Sequence, residues 1–169
     1  MMSRTHIPVG IASALAVAPP HAQLTQLAIY AVAGGLGAVL PDIDSHRSLI
    51  GRKLKIISDV IEHIAGHRKL FHSLIGAAGL FGLAYILLRL SYPLYLILLL
   101  PLLVGYLSHL VLDTVAGGTP WLYPFVKDRF GLHFETNGIM EKWFFRPAAV
   151  IIMLFVVYHS LSLMGGAGR

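Results

Sequence analysis

The sequence contains no cysteine and little charge. Of its 169 residues only 12% are Asp, Glu, Lys or Arg, whereas 56% are hydrophobic and the mean hydropathy is +0.73. The absence of cysteine excludes disulfide scaffolds, thiolate nucleophiles and cysteine-ligated zinc or iron–sulfur sites. Because a typical soluble domain has about 25% charged residues, the scarcity of charge predicts a membrane-embedded chain. Nine histidines stand out in this apolar composition, so any bound metal would be held by histidine and carboxylate.

Five apolar stretches predict an all-α integral membrane bundle of four to five transmembrane segments, formed by a single domain over residues 1–169. The last four are long enough to cross a bilayer, which takes roughly 20 helical residues and at least about 17. The first stretch, with 12 residues, is shorter than this lower limit. The stretches are Ile7–Ala18, Leu24–Leu40, Leu70–Leu90, Tyr92–Asp113 and Pro147–Met164.

The first stretch has more than one interpretation. Pro19 and Pro20 end it, and a short connection then leads to the second stretch, which predicts a hairpin of two short helices. Glycines in the second stretch would let another helix approach closely; they are Gly34, Gly35 and Gly37. The sequence 16–18 also resembles the cleavage site of a signal peptide, so the first stretch spans, re-enters or is removed. In the fourth stretch, Pro101 predicts a kink.

The charges are distributed unevenly between the two membrane sides. If the segments alternate in direction, eleven of the thirteen Lys and Arg residues and all eight carboxylates lie on the side of the N-terminus. Only Arg89 and Arg169 lie on the other side. The positive-inside rule therefore predicts that the loops Pro41–Lys69 and Thr114–Arg146 face the cytoplasm. The net charge of +5 is then explained by orientation, and no nucleic-acid partner is expected.

Ionisable residues collect where the predicted segments begin or end on this same side. His109 and Asp113 are four residues apart, which places them on one helical face as two ligands for one ion. Asp42 and Asp44 flank a turn, where one carboxylate can ligate and the other can bridge or orient a histidine. The full set is His6, Asp42, Asp44, His67, His72, His109 and Asp113. For His67 and His72 to converge, the third helix must begin near residue 70.

Imidazole and carboxylate ligands together suit zinc, and also manganese or iron. The set exceeds the needs of one tetrahedral ion, so two ions are expected, an arrangement that supports phosphoryl or acyl transfer. We predict hydrolysis of a phosphoester, with Asp42 or Asp44 as the general base. Arg52, Arg68 and Lys69 lie beside the set in sequence, where they would bind phosphate. A site at the membrane interface favours a lipidic substrate.

The motifs resemble those of the YdjM/YbcI-like inner-membrane proteins, a family of membrane-bound metal-dependent hydrolases. They run in order from Leu40-Pro41-Asp42-Ile43-Asp44 to His67-Arg68-x-x-x-His72-Ser73, Ser108-His109-x-x-x-Asp113-Thr114 and Gly118-Thr119-Pro120, with Thr5-His6 and Glu141 also fitting. The resemblance implies metal-dependent hydrolysis, distantly similar to zinc-dependent phospholipase C and the P1-type nucleases. It also implies a ligand set of His6, Asp44, His67, His72, His109 and Asp113, with Asp42 beside them.

Two other classes of function stay open at this stage. A metal transporter or sensor would need polar residues through the bilayer, and the middles of the third and fourth stretches have none. A non-catalytic membrane adaptor would use the His/Asp set as a structural cluster. The sequence also leaves open whether His63, His133 or Glu141 joins the site.

Overall fold

The chain folds into a helical bundle. The structure, a computed structural model, describes residues 3–45, 48, 53, 56, 59, 63, 69–132 and 138–166. The five α-helices of these residues are α1 Ser3–Ala16, α2 Leu24–Gly37, α3 Leu74–Ser91, α4 Leu99–Ala116 and α5 Arg146–Gly166. Short 3-10 helices cover Pro41–Asp44 and Pro93–Leu98, and a π-helical turn, Glu141–Phe145, leads into α5. The described residues form no β-strand, which confirms the all-α prediction.

Four segments are long and apolar enough to cross a membrane. They are Leu24–Asp44, Leu74–Ser91, Pro93–Ala116 and Glu141–Met164, and they correspond to the four long stretches of the sequence. The short helix α1 packs against α2, α4 and α5. The first stretch therefore forms part of the same bundle and contributes to its core.

Glycines bring three helices into backbone contact. A Cβ atom built on Gly34 would lie 2.5 Å from the carbonyl oxygen of Gly10 in α1. One built on Gly105 in α4 would lie 2.1 Å from the carbonyl oxygen of Gly34, and one on Gly37 would lie equally close to that of Leu102. Only glycine permits such close approaches, so the predicted close packing on the second segment is confirmed.

Two predicted details differ in the structure. The third helix begins at Leu74 rather than near residue 70, because the hydroxyl of Ser73 accepts a hydrogen bond from the Gly76 amide (3.0 Å) and so caps the helix. The predicted kink at Pro101 assumes a mid-helix position, whereas the structure begins α4 at Leu99. Pro101 lies in the first turn of α4, where its missing amide hydrogen costs no helical hydrogen bond.

The helix ends that carry the candidate residues converge at one end of the bundle. The start of α1 lies beside the end of α4, since His6 contacts Asp113 at 3.2 Å. The Thr5 hydroxyl donates a hydrogen bond to Glu141 Oε1 (2.7 Å), which brings the start of the π-helical turn to the same place. The alternation of helix direction expected from the sequence thus gives one common polar end.

Candidate metal centre

Four nitrogen and oxygen atoms from three separate parts of the chain form the centre of this polar end. Nε2 of His72 lies 3.8 Å from Oδ1 of Asp42 and 3.7 Å from Oδ2 of Asp113. Nε2 of His109 lies 3.9 Å from the same Asp42 oxygen and 3.6 Å from the same Asp113 oxygen. All four residues are buried. Two imidazole nitrogens and two carboxylate oxygens therefore alternate around a common point.

The outer nitrogen of each of these two histidines faces an acceptor. Nδ1 of His109 donates a hydrogen bond to the carbonyl oxygen of Ala38 (2.7 Å), just past the end of α2. Since a carbonyl can only accept, Nδ1 of His109 carries the hydrogen of this bond, and Nε2 is the nitrogen that faces the carboxylates. Nδ1 of His72 lies 3.4 Å from Oδ2 of the fully buried Asp44. Acceptors on the outer nitrogen are the usual support of metal-ligating histidines.

His6 extends the cluster on one side. Its Nε2 lies 3.2 Å from Oδ1 of Asp113, the oxygen that the inner group does not use, and its ring stacks on that of His109 with centroids 3.9 Å apart. His6, His109 and Asp113 form one group of potential ligands, and Asp42, His72 and His109 form another. Because Asp113 has one oxygen toward each side and His109 belongs to both groups, the geometry accommodates one ion or a bridged pair.

The donor set fits a divalent cation. Zn–N and Zn–O bonds of about 2.0 to 2.2 Å place ligand atoms about 3.3 to 3.6 Å apart in a tetrahedral site. The four nitrogen-to-oxygen separations, 3.6 to 3.9 Å, are a few tenths of an ångström longer, and Asp42, His72 and His109 each offer an atom within 4.8 Å of the other two. In addition, Nε2 of both His72 and His109 has no hydrogen-bond partner among the residues that the structure describes. A buried polar atom without a partner costs about 1 to 3 kcal/mol, and a bound cation removes that cost.

The carboxylates also affect protonation at the centre. Burial alone lowers the pKa of His72, but the neighbouring Asp42 and Asp44 carboxylates outweigh burial and raise the pKa to about 9. The metal-free centre therefore holds a proton on His72 at neutral pH. A metal ion must displace this proton, so metal binding at this centre is coupled to proton release.

Residues outside the ligand groups hold the histidines in place. The Tyr106 hydroxyl donates to the carbonyl oxygen of Phe71, which fixes the backbone directly before His72. On the other side, Thr5 next to His6 is fixed by buried Glu141, whose Oε1 is also 4.0 Å from Nε of Arg146. Glu141 thus supports the centre through Thr5 and belongs to neither ligand group.

The structure brings together most, but not all, of the residues predicted from the sequence. His6, Asp42, His72, His109 and Asp113 meet in the ligand groups. The resemblance implies Asp44 as a ligand, with Asp42 beside it. In the structure Asp42 faces the inner group, whereas Asp44 faces the outer nitrogen of His72. The sequence predicted that one of the two aspartates could orient a histidine, but it did not identify which one.

Of the other predicted residues, the structure describes two. Lys69 and His63 are exposed. His67, Arg52, Arg68 and His133 lie outside the described residues. Sequence reasoning gave no supporting role to Tyr106 or Ala38. Tyr106 acts through its hydroxyl on the backbone of Phe71, and Ala38 acts through its own backbone carbonyl.

These features define a helical integral membrane protein with a buried His/Asp centre at one end of its bundle. The chain belongs to the family described as YdjM inner membrane protein, whose model matches residues 1–167. The predicted family and the membrane location are thereby confirmed. The distant likeness to phospholipase C and the P1-type nucleases stays a prediction.

Relatives with similar sequences carry few functional terms. The chain is 34% identical to "Uncharacterized protein YvsG" of Bacillus subtilis over 144 residues, which cover 84% of this chain and 86% of that protein. It is 36% identical to "Inner membrane protein YdjM" of Escherichia coli over 90 residues, which cover 53% of this chain and 46% of that protein. No solved structure matches.

Proposed function

We propose that this protein is a membrane-bound, metal-dependent hydrolase that acts on a lipidic phosphoester. The observation that carries the proposal is the alternating ring of His72, Asp42, His109 and Asp113, in which the outer nitrogen of each histidine faces an acceptor. Here the inner nitrogens face a shared space lined by carboxylates.

These residues would hold one or two divalent ions, with zinc the first choice and manganese or iron also suited to the donors. A bound ion supplies Lewis-acid activation of water and of a phosphoryl oxygen. The protein's own contribution is to fix the donors: Asp44 and the Ala38 carbonyl orient two imidazoles, and Asp113 links His6 to the inner group. Asp42, with 8% of its surface exposed, is the inner carboxylate through which an incoming water can exchange a proton.

The position of the centre supports a substrate that is presented by the membrane. Asp42 lies in the last turn of the candidate span Leu24–Asp44, and His109 and Asp113 lie in the last turns of Pro93–Ala116. A phosphoester at the level of lipid headgroups reaches this depth without leaving the bilayer. The excess of Lys and Arg on the same side favours a cytoplasmic orientation.

Metal analysis of detergent-purified protein is the first test. We expect one or two ions per chain in the unmodified protein, and none after the double substitution His109→Ala and Asp113→Ala. His159→Ala is the matched control, because His159 is exposed on α5 and far from both ligand groups in the fold. A folded protein that carries no metal, and takes up none when it is offered, would refute the metal centre.

Activity is the second test. The metal-loaded protein would be incubated with a panel of phospholipids and isoprenoid phosphates, with chelator-treated protein as the control, and released phosphate or headgroup measured. Chelator-sensitive turnover that is absent from the double variant supports the hydrolase. Metal binding without turnover on any member of the panel contradicts it and favours a non-catalytic metal-binding membrane protein. For orientation, a reporter fused after Arg169 should lie outside the cytoplasm.

A further inference from the structure

The loop that follows α4, Gly117–Leu132, folds back on the helix end. Thr119 and Phe130 exchange backbone hydrogen bonds across the loop, at 2.9 Å from the Thr119 amide and 3.2 Å from the Phe130 amide. The Leu132 amide donates to the carbonyl oxygen of Thr114 (3.2 Å), in the last turn of α4. The two ends of this loop are therefore hydrogen-bonded to each other and to the end of a candidate span.

The base of the loop is also fixed to the next helix. The carbonyl oxygen of Trp121 accepts a hydrogen bond from the Leu74 amide (2.9 Å), at the first residue of α3. The Trp121 side chain packs against the core cluster that contains Tyr106 and Leu110. Because α3 and α4 are both candidate spans, this loop is held at the level where two spans meet the membrane surface.

Beyond this base the loop exposes large apolar side chains. Phe125 is 84% exposed, and Leu122, Phe130 and Leu132 are also exposed. Lys127 and Arg129 are exposed beside them, with Asp128 in between, so these three residues carry a net charge of +1. Exposed apolar side chains combined with basic ones are typical of protein surfaces that lie in the bilayer interface, where acyl chains and anionic headgroups are both within reach.

We propose that the Gly117–Leu132 loop is a membrane-inserting surface that prefers anionic lipid. Its exposed apolar side chains, of which Phe125 is the most exposed, lie among the acyl-chain segments next to the headgroups. Lys127 and Arg129 bind lipid phosphates. Two observations point to lipid as the partner of this loop. Hydrogen bonds hold the loop at the ends of two candidate spans, and basic side chains lie beside its exposed apolar side chains.

The absence of native cysteine makes a depth measurement direct. Single cysteines replacing Leu122 or Asp128 would be spin-labelled in the full-length protein, reconstituted into nanodiscs of phosphatidylcholine with or without phosphatidylglycerol. Phe155→Cys, on the exposed face of α5 within a candidate span, gives the membrane-buried reference. The collision rates of the label with oxygen and with a water-soluble nickel complex then report its depth.

We expect the label at position 122 to behave like the one at 155, with an oxygen-to-nickel ratio several-fold above that at 128. Adding Phe125→Asp should return position 122 toward the water-exposed value. In the variant K127Q/R129Q, the ratio at position 122 should no longer differ between nanodiscs with and without phosphatidylglycerol. Each basic residue contributes about five-fold to the affinity for anionic lipid. A water-exposed label at 122 in both lipid mixtures would overturn the proposal, and so would protection that appears only when a second protein is added.

Discussion

The replacement of Asp44 by asparagine separates the two aspartates of the 3-10 helix by role. In the structure Oδ2 of Asp44 lies 3.4 Å from Nδ1 of His72, whereas Oδ1 of Asp42 lies 3.8 Å from Nε2 of the same ring. In the proposed metal centre, Asp44 would therefore orient His72, and Asp42 would bind the ion itself. Asparagine keeps the shape of the side chain and removes its charge, so Asp44→Asn tests orientation and Asp42→Asn tests ligation.

The geometry sets the expected sizes of the two effects. Loss of a carboxylate partner behind a ligating histidine typically weakens metal affinity about 10- to 100-fold, which corresponds to about 1.4 to 2.8 kcal/mol. Loss of an anionic ligand from a group of four removes a metal bond as well as a charge. Asp44→Asn should therefore retain metal with reduced affinity, and Asp42→Asn should lose stoichiometric binding.

The assay is competition with a fluorescent zinc chelator of known affinity, on detergent-purified protein stripped of metal. Asp128→Asn is the matched control, since Asp128 is exposed in the loop after α4 and should leave the affinity unchanged. Thermal unfolding of each variant without metal shows whether the fold is retained. If Asp44→Asn abolishes binding while Asp42→Asn only weakens it, the assignment of ligand and orienting residue is reversed.

Three further predictions test the surroundings of the centre. The folded-state pKa of His72 is raised to about 9, so protonation of His72 stabilises the metal-free protein fully below about pH 6.5, and this stabilisation is lost as the pH rises through 9. The melting temperature of the metal-free protein should therefore fall over that range. The affinity for zinc should rise over the same range, because zinc no longer has to displace the proton. Thr5→Val removes the donor to the Glu141 carboxylate and should cost about 1 to 3 kcal/mol by thermal unfolding in detergent, with metal affinity also reduced. Gly105→Ala should lower stability by at least about 1 to 3 kcal/mol, because its Cβ would overlap a backbone carbonyl, whereas Gly82→Ala, with open space around it, should not; equal effects would contradict the close helix packing.

The sequence is sufficient to predict the helices and the polar end because both follow from short-range patterns. Uninterrupted apolar stretches give the spans, and alternation of direction places His6, Asp42 and His109 at the same end before any contact is known. The roles of Asp42 and Asp44 are not accessible in this way. Two residues apart in a 3-10 helix, they face different atoms of one imidazole, and that depends on the tertiary position of His72.

The beginning of α3 shows the same limit. Hydropathy places the third segment from Leu70, since the apolar run starts there, but the hydroxyl of Ser73 caps the helix and leaves Leu70 to Ser73 as a turn. That turn allows His72 to face the other ligands from outside the helix. A single hydrogen bond of this kind changes the hydropathy profile very little, although it decides where a ligand lies.

The centre also bears on how α3 is held in the bundle. Only 11% of the span Leu74–Ser91 is buried inside the protein, so α3 has little packing to fix it. The turn that leads into α3 is held at the polar end, where His72 faces Asp42 and Asp113, and where Tyr106 bonds to the Phe71 carbonyl. A cation shared by His72, Asp42 of the 3-10 helix and the residues of α4 would therefore cross-link a loosely packed helix to the rest of the fold. Lipid can cover the remaining apolar surface of α3 because, in a bilayer, exposure of that surface carries no hydrophobic penalty.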